Sequence, residues 1–145
     1  MREINHIVLI DDNKIDCFVN QKIISIINKN IITKIFNSSV TALDYFNSTP
    51  IGSETNALFI TDIILLDINM PVMNGFEFLN KLSEMKEFIK NPIKVYFLSS
   101  SNNEEDITDA LNIEHCSGYI NKPLTKEKIN NLIKIGQELT QNINS

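Results

Sequence analysis

The chain has 145 residues, a hydrophobic content of 43% and a formal net charge of −5. At this length folding buries roughly 68–70% of the surface of the unfolded chain, which suffices for one domain with its own core. The acidic balance argues against nucleic acid as a direct partner, and the apolar run before Asp11 is too short for a signal peptide or a membrane span.

The two cysteines, Cys17 and Cys116, are far apart in sequence and lack the spacing of metal ligands. This spacing favours neither a disulfide scaffold nor a zinc site. We therefore expect two unreactive thiols in a reducing cytoplasm.

Hydrophobic periodicity predicts strands and helices in strict alternation. In chain order, the predicted elements are a strand at 6–10, a helix at 14–28, a strand at 31–36, a helix from Ser38 or Ser39, a loop at 48–56, a strand at 62–67, a helix at 75–89, a strand at 94–99, a helix at about 103–113, a strand at 117–121 and a helix at 125–141. Five strands that are each followed by a helix form repeated βαβ units. This pattern predicts an α/β fold with a five-stranded parallel sheet, right-handed crossovers and helices on both faces.

The first and last helices show the spacing of apolar residues that is typical of amphipathic helices. Asp12 or Asn13 is available as the N-cap of the first helix. Its apolar residues are Ile15, Phe18, Val19, Ile23, Ile26 and Ile27. In the last helix the residues expected to face inward are Ile129, Leu132, Ile133 and either Ile135 or Gly136.

Polar clusters follow four of the five predicted strands. They are Asp11-Asp12 after the first strand, Asp67 at the end of the third, Ser99-Ser100-Ser101 after the fourth, and Asn121-Lys122-Pro123 after the fifth. Sites in open parallel sheets lie outside the carboxyl ends of the strands. We therefore expect these four clusters to meet at one edge of the sheet.

The charges of this edge predict a bound cation. The carboxylates of Asp11, Asp12 and Asp67 and the ammonium of Lys122 carry a net charge of −2. Two like charges about 4 Å apart repel by roughly 4 kcal/mol at an effective dielectric of about 20, so an uncompensated cluster is costly. Oxygen ligands without Cys or His favour Mg²⁺, Mn²⁺ or Ca²⁺ over zinc or copper. Mg²⁺ suits a shallow open edge best, with Mn²⁺ as an alternative.

The segments VLIDDN, LLDINMPVMNG, FLSSS and GYINKP, in this order and at these spacings, resemble the receiver domain of bacterial two-component response regulators. The resemblance extends from about Ile4 to about Ile135. It implies a flavodoxin-like, doubly wound fold with strand order 2-1-3-4-5. It assigns residues 1–137 to a receiver domain and 138–145 to a short C-terminal tail, as in a stand-alone, chemotaxis-regulator-like protein without an output domain.

The resemblance implies a role for each matching site residue. Asp67 would accept a phosphoryl group from a phosphohistidine on a histidine kinase or phosphotransfer protein. Asp12 would bind Mg²⁺ directly and Asp11 largely through water, with Asp67 and the Asn69 backbone carbonyl as further ligands. Lys122 would pair with the acceptor carboxylate and then with a phosphoryl oxygen.

The resemblance also implies a switch. The Ser99 hydroxyl would bind the phosphoryl group, and Tyr119, at the aromatic switch position of the family, would turn inward as Ser99 moves. The side of the domain that changes would comprise the predicted helix at 103–113, the strand at 117–121 and the helix at 125–141. An unknown downstream protein would recognise this side.

Two positions are expected to tune dephosphorylation. Asn69 and Ser101 lie two residues beyond Asp67 and Ser99, where side chains of this family govern the access of water to the phosphoryl group. Ser101 is short and uncharged, so we expect a middling phosphoryl lifetime. The peptide bond before Pro123 is expected to be cis, an isomer that X-Pro bonds adopt at modest cost.

The sequence leaves alternatives open. A phosphatase or phosphotransferase of the haloacid dehalogenase type also places a nucleophilic Asp after a parallel strand, but it needs a second Asp where this chain has Asn69. A pseudo-receiver that is never phosphorylated is disfavoured by the full set of acids, hydroxyl and lysine. A receiver fragment of a larger regulator or hybrid kinase is the other alternative. The preferred expectation is a cytoplasmic phosphoacceptor signalling protein, not an enzyme, without nucleic-acid or membrane partners.

Overall fold

The computed structural model describes residues 3–48, 57–100 and 103–144. The strands are β1 (His6–Ile10), β2 (Ile32–Phe36), β3 (Ile63–Asp67), β4 (Lys94–Ser99) and β5 (Cys116–Asn121). The helices are α1 (Lys14–Ile27), α2 (Ser39–Asn47), α3 (Ala57–Ile60), α4 (Gly75–Ser83), α5 (Lys86–Lys90), α6 (Glu104–Leu111) and α7 (Lys126–Asn144). Most of the predicted loop at 48–56 lies outside the described residues.

The five strands form one parallel sheet in the order β2-β1-β3-β4-β5. This confirms the predicted flavodoxin-like sheet. Every residue of β3 is buried, because this strand lies at the centre of the sheet and both of its faces are covered. The register pairs Ile10 with Leu66 and Asp67 with Leu98, so the carboxyl ends of β1, β3 and β4 are level.

Two cores lie on opposite faces of the sheet. Helices α2 to α6 cover one face, where Phe46, Phe78 and Phe88 are fully buried. Helices α1 and α7 cover the other face, where Ile24 and Ile129 are fully buried. Full burial of such side chains contributes roughly 1.5–3 kcal/mol each, so both layers hold the sheet and the loops at its edge.

The inward face of α1 differs from the one that its apolar spacing suggests. Its buried residues are Cys17, Asn20 and Ile24. Four apolar residues, which we call the α1 stripe, are instead 46% to 74% exposed: Ile15, Phe18, Val19 and Ile26. The helix carries apolar side chains on more than one face. Because the buried face also contains a polar residue, Asn20, the apolar pattern does not indicate which face meets the sheet.

The helices differ from the prediction in three further places. The predicted helix at 75–89 is split into α4 and α5, because Met85 is extended, with φ −72° and ψ 135°. This break allows Phe88 to be buried in the core. The short helix α3 was not predicted. In α7, Ile129 is buried as expected, whereas Ile135 is 46% exposed. Of the two alternatives, Ile135 or Gly136, Ile135 therefore does not face inward, and the side of the helix on which Gly136 lies is outside the described burial.

Both cysteines are free thiols. Burial, together with the charge of Asp11, raises the pKa of Cys17 to about 11, and burial also raises the pKa of Cys116. Among the described residues, no helix combines the length and the apolarity that crossing a membrane requires.

Candidate functional site

The turn between β1 and α1 fixes the first two acids of the site. The backbone N–H of Asn13 donates to Asp11 Oδ1 at 2.9 Å. The Asn13 side chain caps α1 by accepting hydrogen bonds from the N–H groups of Ile15 and Asp16, both at 3.0 Å. Asn13 is therefore the N-cap. The turn leaves Asp11 buried and Asp12 exposed at the edge of the sheet.

The loop after β3 is shaped by Gly75. Its N–H donates to the Ile68 carbonyl at 2.8 Å, and a Cβ atom on Gly75 would lie 2.6 Å from the Asp67 carbonyl oxygen. Asn74 and Glu77 form a capping box at the start of α4. Asp67 is buried at the end of its strand, and the close approach of Gly75 brings the start of α4 against its backbone.

Three carboxylates and one ammonium meet at this edge. Carboxylate oxygens of Asp11, Asp12 and Asp67 all lie within 4.8 Å of one another. Lys122 Nζ lies 2.8 Å from Asp11 Oδ2 and 3.7 Å from Asp67 Oδ1. The structure therefore brings together four residues that are up to 111 positions apart in sequence.

Burial and neighbouring charges shift the pKa values of one acidic and one basic group in this cluster, Asp67 and Lys122. Burial, and next the charge of Asp11, raise the pKa of Asp67 to about 6, although Lys122 opposes this shift. Burial on its own would lower the pKa of Lys122, but the hydrogen bond to Asp11 and the charge of Asp67 outweigh it, so the pKa lies above its usual value. Lys122 is therefore a fixed cation, and Asp67 is costly to ionise unless more positive charge arrives.

The donor set fits a hard divalent cation. All three side chains of the cluster offer carboxylate oxygens, and no Cys or His joins them among the residues that the structure describes. Oxygen ligands at an open, partly exposed edge favour Mg²⁺ or Mn²⁺ over zinc and copper. Asn69 contributes a backbone hydrogen bond to Asp67, which lowers the pKa of that carboxyl.

The remaining predicted residues lie around this cluster. Ser99 is buried at the end of β4, and its backbone carbonyl accepts a hydrogen bond from the Lys122 N–H at 2.9 Å. Tyr119 is half-buried and packs against the core beneath α2 to α6. The peptide bond between Lys122 and Pro123 is cis, as expected. Ser101 lies outside the described residues.

Asp16 belongs to the site and was missed by the sequence analysis. Its Oδ2 accepts a hydrogen bond from Lys122 Nζ at 3.2 Å. An acid in the first turn of a helix is ordinarily explained by the helix dipole, so its presence did not indicate a contact with Lys122. The available clue was its spacing, one helical turn beyond Asp12 in a helix that starts at the site.

Comparisons with known proteins agree on one family. The sequence model described as the response regulator receiver domain matches residues 7–134. The crystal structure of a two-component response regulator from Cytophaga hutchinsonii superimposes with a TM-score of 0.80 at 31% identity, covering 94% of this chain and 99% of that chain. The two-component response regulator ARR17 of Arabidopsis thaliana is 29% identical over 135 residues, covering 91% of this chain and 84% of that protein.

Two curated regulators match over a shorter segment. The nitrate/nitrite response regulator protein NarL of Escherichia coli (strain K12) is 44% identical over 68 residues, which cover 47% of this chain and 29% of that protein. The probable transcriptional regulator ycf29 of Porphyra purpurea matches over 34% of its length. The chain thus spans about a third of the length of these regulators.

Proposed function

Since this chain belongs to the family of response regulator receiver domains, we propose that Asp67 accepts a phosphoryl group from a protein phosphohistidine in a Mg²⁺-dependent reaction. The observation that carries the proposal is the clustering of acids around a fixed cation. Carboxylate oxygens of Asp11, Asp12 and Asp67 lie within 4.8 Å of one another, and Lys122 Nζ lies 3.7 Å from Asp67. Such an edge is prepared to receive a phosphoryl group once a divalent cation neutralises it.

In the proposed reaction, a carboxylate oxygen of Asp67 attacks phosphorus. The phosphorus–nitrogen bond of the donor breaks, its electron pair returns to the imidazole, and an acyl phosphate forms. Such transfers depend mainly on positioning and electrostatic stabilisation. Mg²⁺ held by Asp11, Asp12 and Asp67 would neutralise charge on the phosphoryl oxygens. The Lys122 ammonium pairs with one of these oxygens, and the Ser99 hydroxyl donates a hydrogen bond to another.

The α1 stripe supports a protein as the phosphoryl donor. Helix α1 begins three residues after Asp11, so its first turn borders the site. Ile15, Phe18 and Val19 are exposed in the first two turns, and Lys22 Nζ lies 5.5 Å from the centre of the Phe18 ring. Contiguous exposed apolar side chains mark surfaces for protein partners. A histidine kinase or phosphotransfer protein that covers this stripe would bring its phosphohistidine to the adjoining edge.

We assign the output to the side formed by α6, β5 and α7. In α6, all of whose residues are described, only Ala110 is buried, whereas α4 buries four residues. A thinly packed helix moves at low cost. The phosphoryl group adds strong acceptor oxygens that draw Ser99 towards Asp67, and inward rotation of the half-buried Tyr119 couples this shift to the surface.

Several expectations stay predictions within this proposal. The downstream protein is unidentified, and action in the cytoplasm without nucleic-acid partners is carried over from the sequence. Asn69, exposed two residues beyond Asp67, and Ser101 are proposed to give a middling phosphoryl lifetime. Loss of label from the phosphorylated protein within a few seconds at neutral pH would contradict that lifetime.

Intact-mass measurement after incubation with acetyl phosphate tests the central proposal. We expect one phosphoryl increment in Mg²⁺, no increment in EDTA, and no increment in Asp67→Ala. Asp44→Ala, which removes an exposed acid on α2, serves as the matched control and should gain the increment. An increment that persists in Asp67→Ala would overturn the assignment of the acceptor.

A further inference from the structure

We propose that Asp16 is a positioning residue that holds the Lys122 ammonium beside α1 in the unphosphorylated protein and releases it when Asp67 is phosphorylated. The inference rests on the proposed function and deepens it. Lys122 Nζ lies 3.2 Å from Asp16 Oδ2, but 3.7 Å from Asp67 Oδ1. The first distance is within hydrogen-bonding range and the second is beyond it.

The Lys122 ammonium is shared unequally among three carboxylates. It donates hydrogen bonds to Asp11 at 2.8 Å and to Asp16 at 3.2 Å. These bonds direct two of its three N–H donors away from Asp67. The ammonium therefore makes no hydrogen bond to the Asp67 oxygens, although at 3.7 Å it stays close enough to reach a phosphoryl oxygen.

The position of Asp16 is set by the start of α1. Its N–H donates to the Asn13 side chain at 3.0 Å, and Asn13 in turn is bonded to Asp11 Oδ1 through its own N–H. The backbone of Asp16 is thus tied to the same turn that orients Asp11. The side chain of Asp16 remains 39% exposed, so its bond to Lys122 is weaker than the buried bond of Asp11 and is the one that yields.

The hydrogen bond between Asp16 and Lys122 makes phosphorylation of Asp67 less favourable. To bind a phosphoryl oxygen, Lys122 Nζ moves towards Asp67, and this movement breaks the longer of its two bonds, the one to Asp16. Asp16 therefore favours the unphosphorylated state. Because exposed pairs of this kind contribute less than about 1 kcal/mol, releasing Lys122 should change affinities by about twofold to fivefold. A helix-dipole role for Asp16 would produce no dependence on Lys122.

Binding of beryllofluoride, a phosphoryl analogue, at saturating Mg²⁺ tests the proposal by calorimetry. We expect Asp16→Asn to bind the analogue about twofold to fivefold more tightly than the unmodified protein, and Asp16→Glu to retain the original affinity. Asp44→Asn removes the same charge from exposed α2 and should leave the affinity unchanged. In a Lys122→Met background, Asp16→Asn should have no effect. An equal gain in that background would overturn the proposal, because Asp16 would then act only as a distant negative charge.

A second measurement requires neither phosphorylation nor removal of the positive charge at position 122. In protein labelled with ¹⁵N-lysine, the ammonium resonance of Lys122 is identified by its absence in Lys122→Arg. We expect Asp16→Asn to shift this resonance and to accelerate its exchange with water, and Asp44→Asn to leave it unchanged. An unaltered Lys122 resonance in Asp16→Asn would refute the contact. Failure of Asp67 to accept a phosphoryl group would leave this result unaffected, so the two proposals fail separately.

Discussion

Gly75 lies so close to the backbone of Asp67 that a Cβ atom on the glycine would approach the Asp67 carbonyl oxygen to 2.6 Å. Neither chain segment can yield easily, because the contacted atom belongs to the central strand. We therefore expect Gly75→Ala to lower the free energy of unfolding by about 1–3 kcal/mol, although alanine favours helices over glycine by about 1 kcal/mol. Urea denaturation measures the change. Gly118→Ala is the control, because its Cβ would meet only Tyr96 side-chain atoms, at 3.0 and 3.2 Å. A Gly75→Ala protein as stable as the original would contradict this argument.

The raised pKa of Asp67 predicts a pH-dependent instability of the metal-free protein. A carboxyl whose pKa is about 6 in the folded chain, against 3.8 ordinarily, binds its proton more tightly when folded. It therefore lowers stability as pH rises from about 4 to 6. In EDTA, Asp67→Asn should raise the free energy of unfolding by about 1–3 kcal/mol at pH 7.5, with the gain vanishing near pH 4. A gain that is independent of pH would contradict the shift.

Loss of Lys122 should destabilise the metal-free protein strongly. Lys122→Met removes the partner that lies 2.8 Å from the buried Asp11 carboxylate, and removing one member of a buried pair costs about 3–5 kcal/mol. Saturating Mg²⁺ should restore part of this stability, because the cation replaces the missing charge. Urea denaturation with and without Mg²⁺ measures both effects. Lys29→Met, at an exposed lysine beyond α1, should change little, and equal costs for the two variants would exclude the buried pair as the cause.

The α1 stripe should matter for a protein donor and not for a small one. Phe18 is 59% exposed, and loss of a buried aromatic anchor at an interface costs more than about 1.4 kcal/mol, or tenfold. We expect Phe18→Gln to slow phosphotransfer from the donor protein about tenfold while the rate with acetyl phosphate stays the same. Ile89→Gln, on α5, removes a similarly exposed apolar side chain and is the control. A parallel loss with acetyl phosphate would show that the effect lies in the site and not in docking.

Val72 should be replaceable with a gain in stability. It is 91% exposed and has a φ of 71°, a conformation that a β-branched residue adopts at a cost. Because asparagine tolerates this conformation, we expect Val72→Asn to raise the free energy of unfolding by about 1 kcal/mol. Val72→Ala also removes the exposed valine side chain, but alanine does not tolerate a positive φ as asparagine does. It should therefore raise the free energy of unfolding by less. Thermal denaturation of both variants distinguishes relief of strain from loss of an exposed apolar group.

The sequence predicted the sheet well because its strands are continuous apolar runs that end in polar residues. The boundaries of β1 and β4 agree with the prediction. The polar residues after four strands marked the edge where Asp67 and Lys122 meet, since the carboxyl ends of parallel strands share one edge.

Helix packing was predicted less well, because it depends on contacts between distant segments. Periodicity could not decide which face of α1 meets the sheet, since Asn20 is buried while Phe18 is exposed. The break at Met85 allows the burial of Phe88, which no local pattern indicates. Asp16 was missed for a related reason. Its partner is 106 residues away, and only the folded chain brings the two together.

The order of the strands also bears on the synthesis of the protein. β1 lies between β2 and β3, so both of its neighbours are complete once Asp67 has been synthesised. The three carboxylates are then present while Lys122 is still untranslated. Until Lys122 has been synthesised, the acids lack their counter-charge, so we expect a divalent cation to favour pairing of the first three strands more at that stage than in the finished protein.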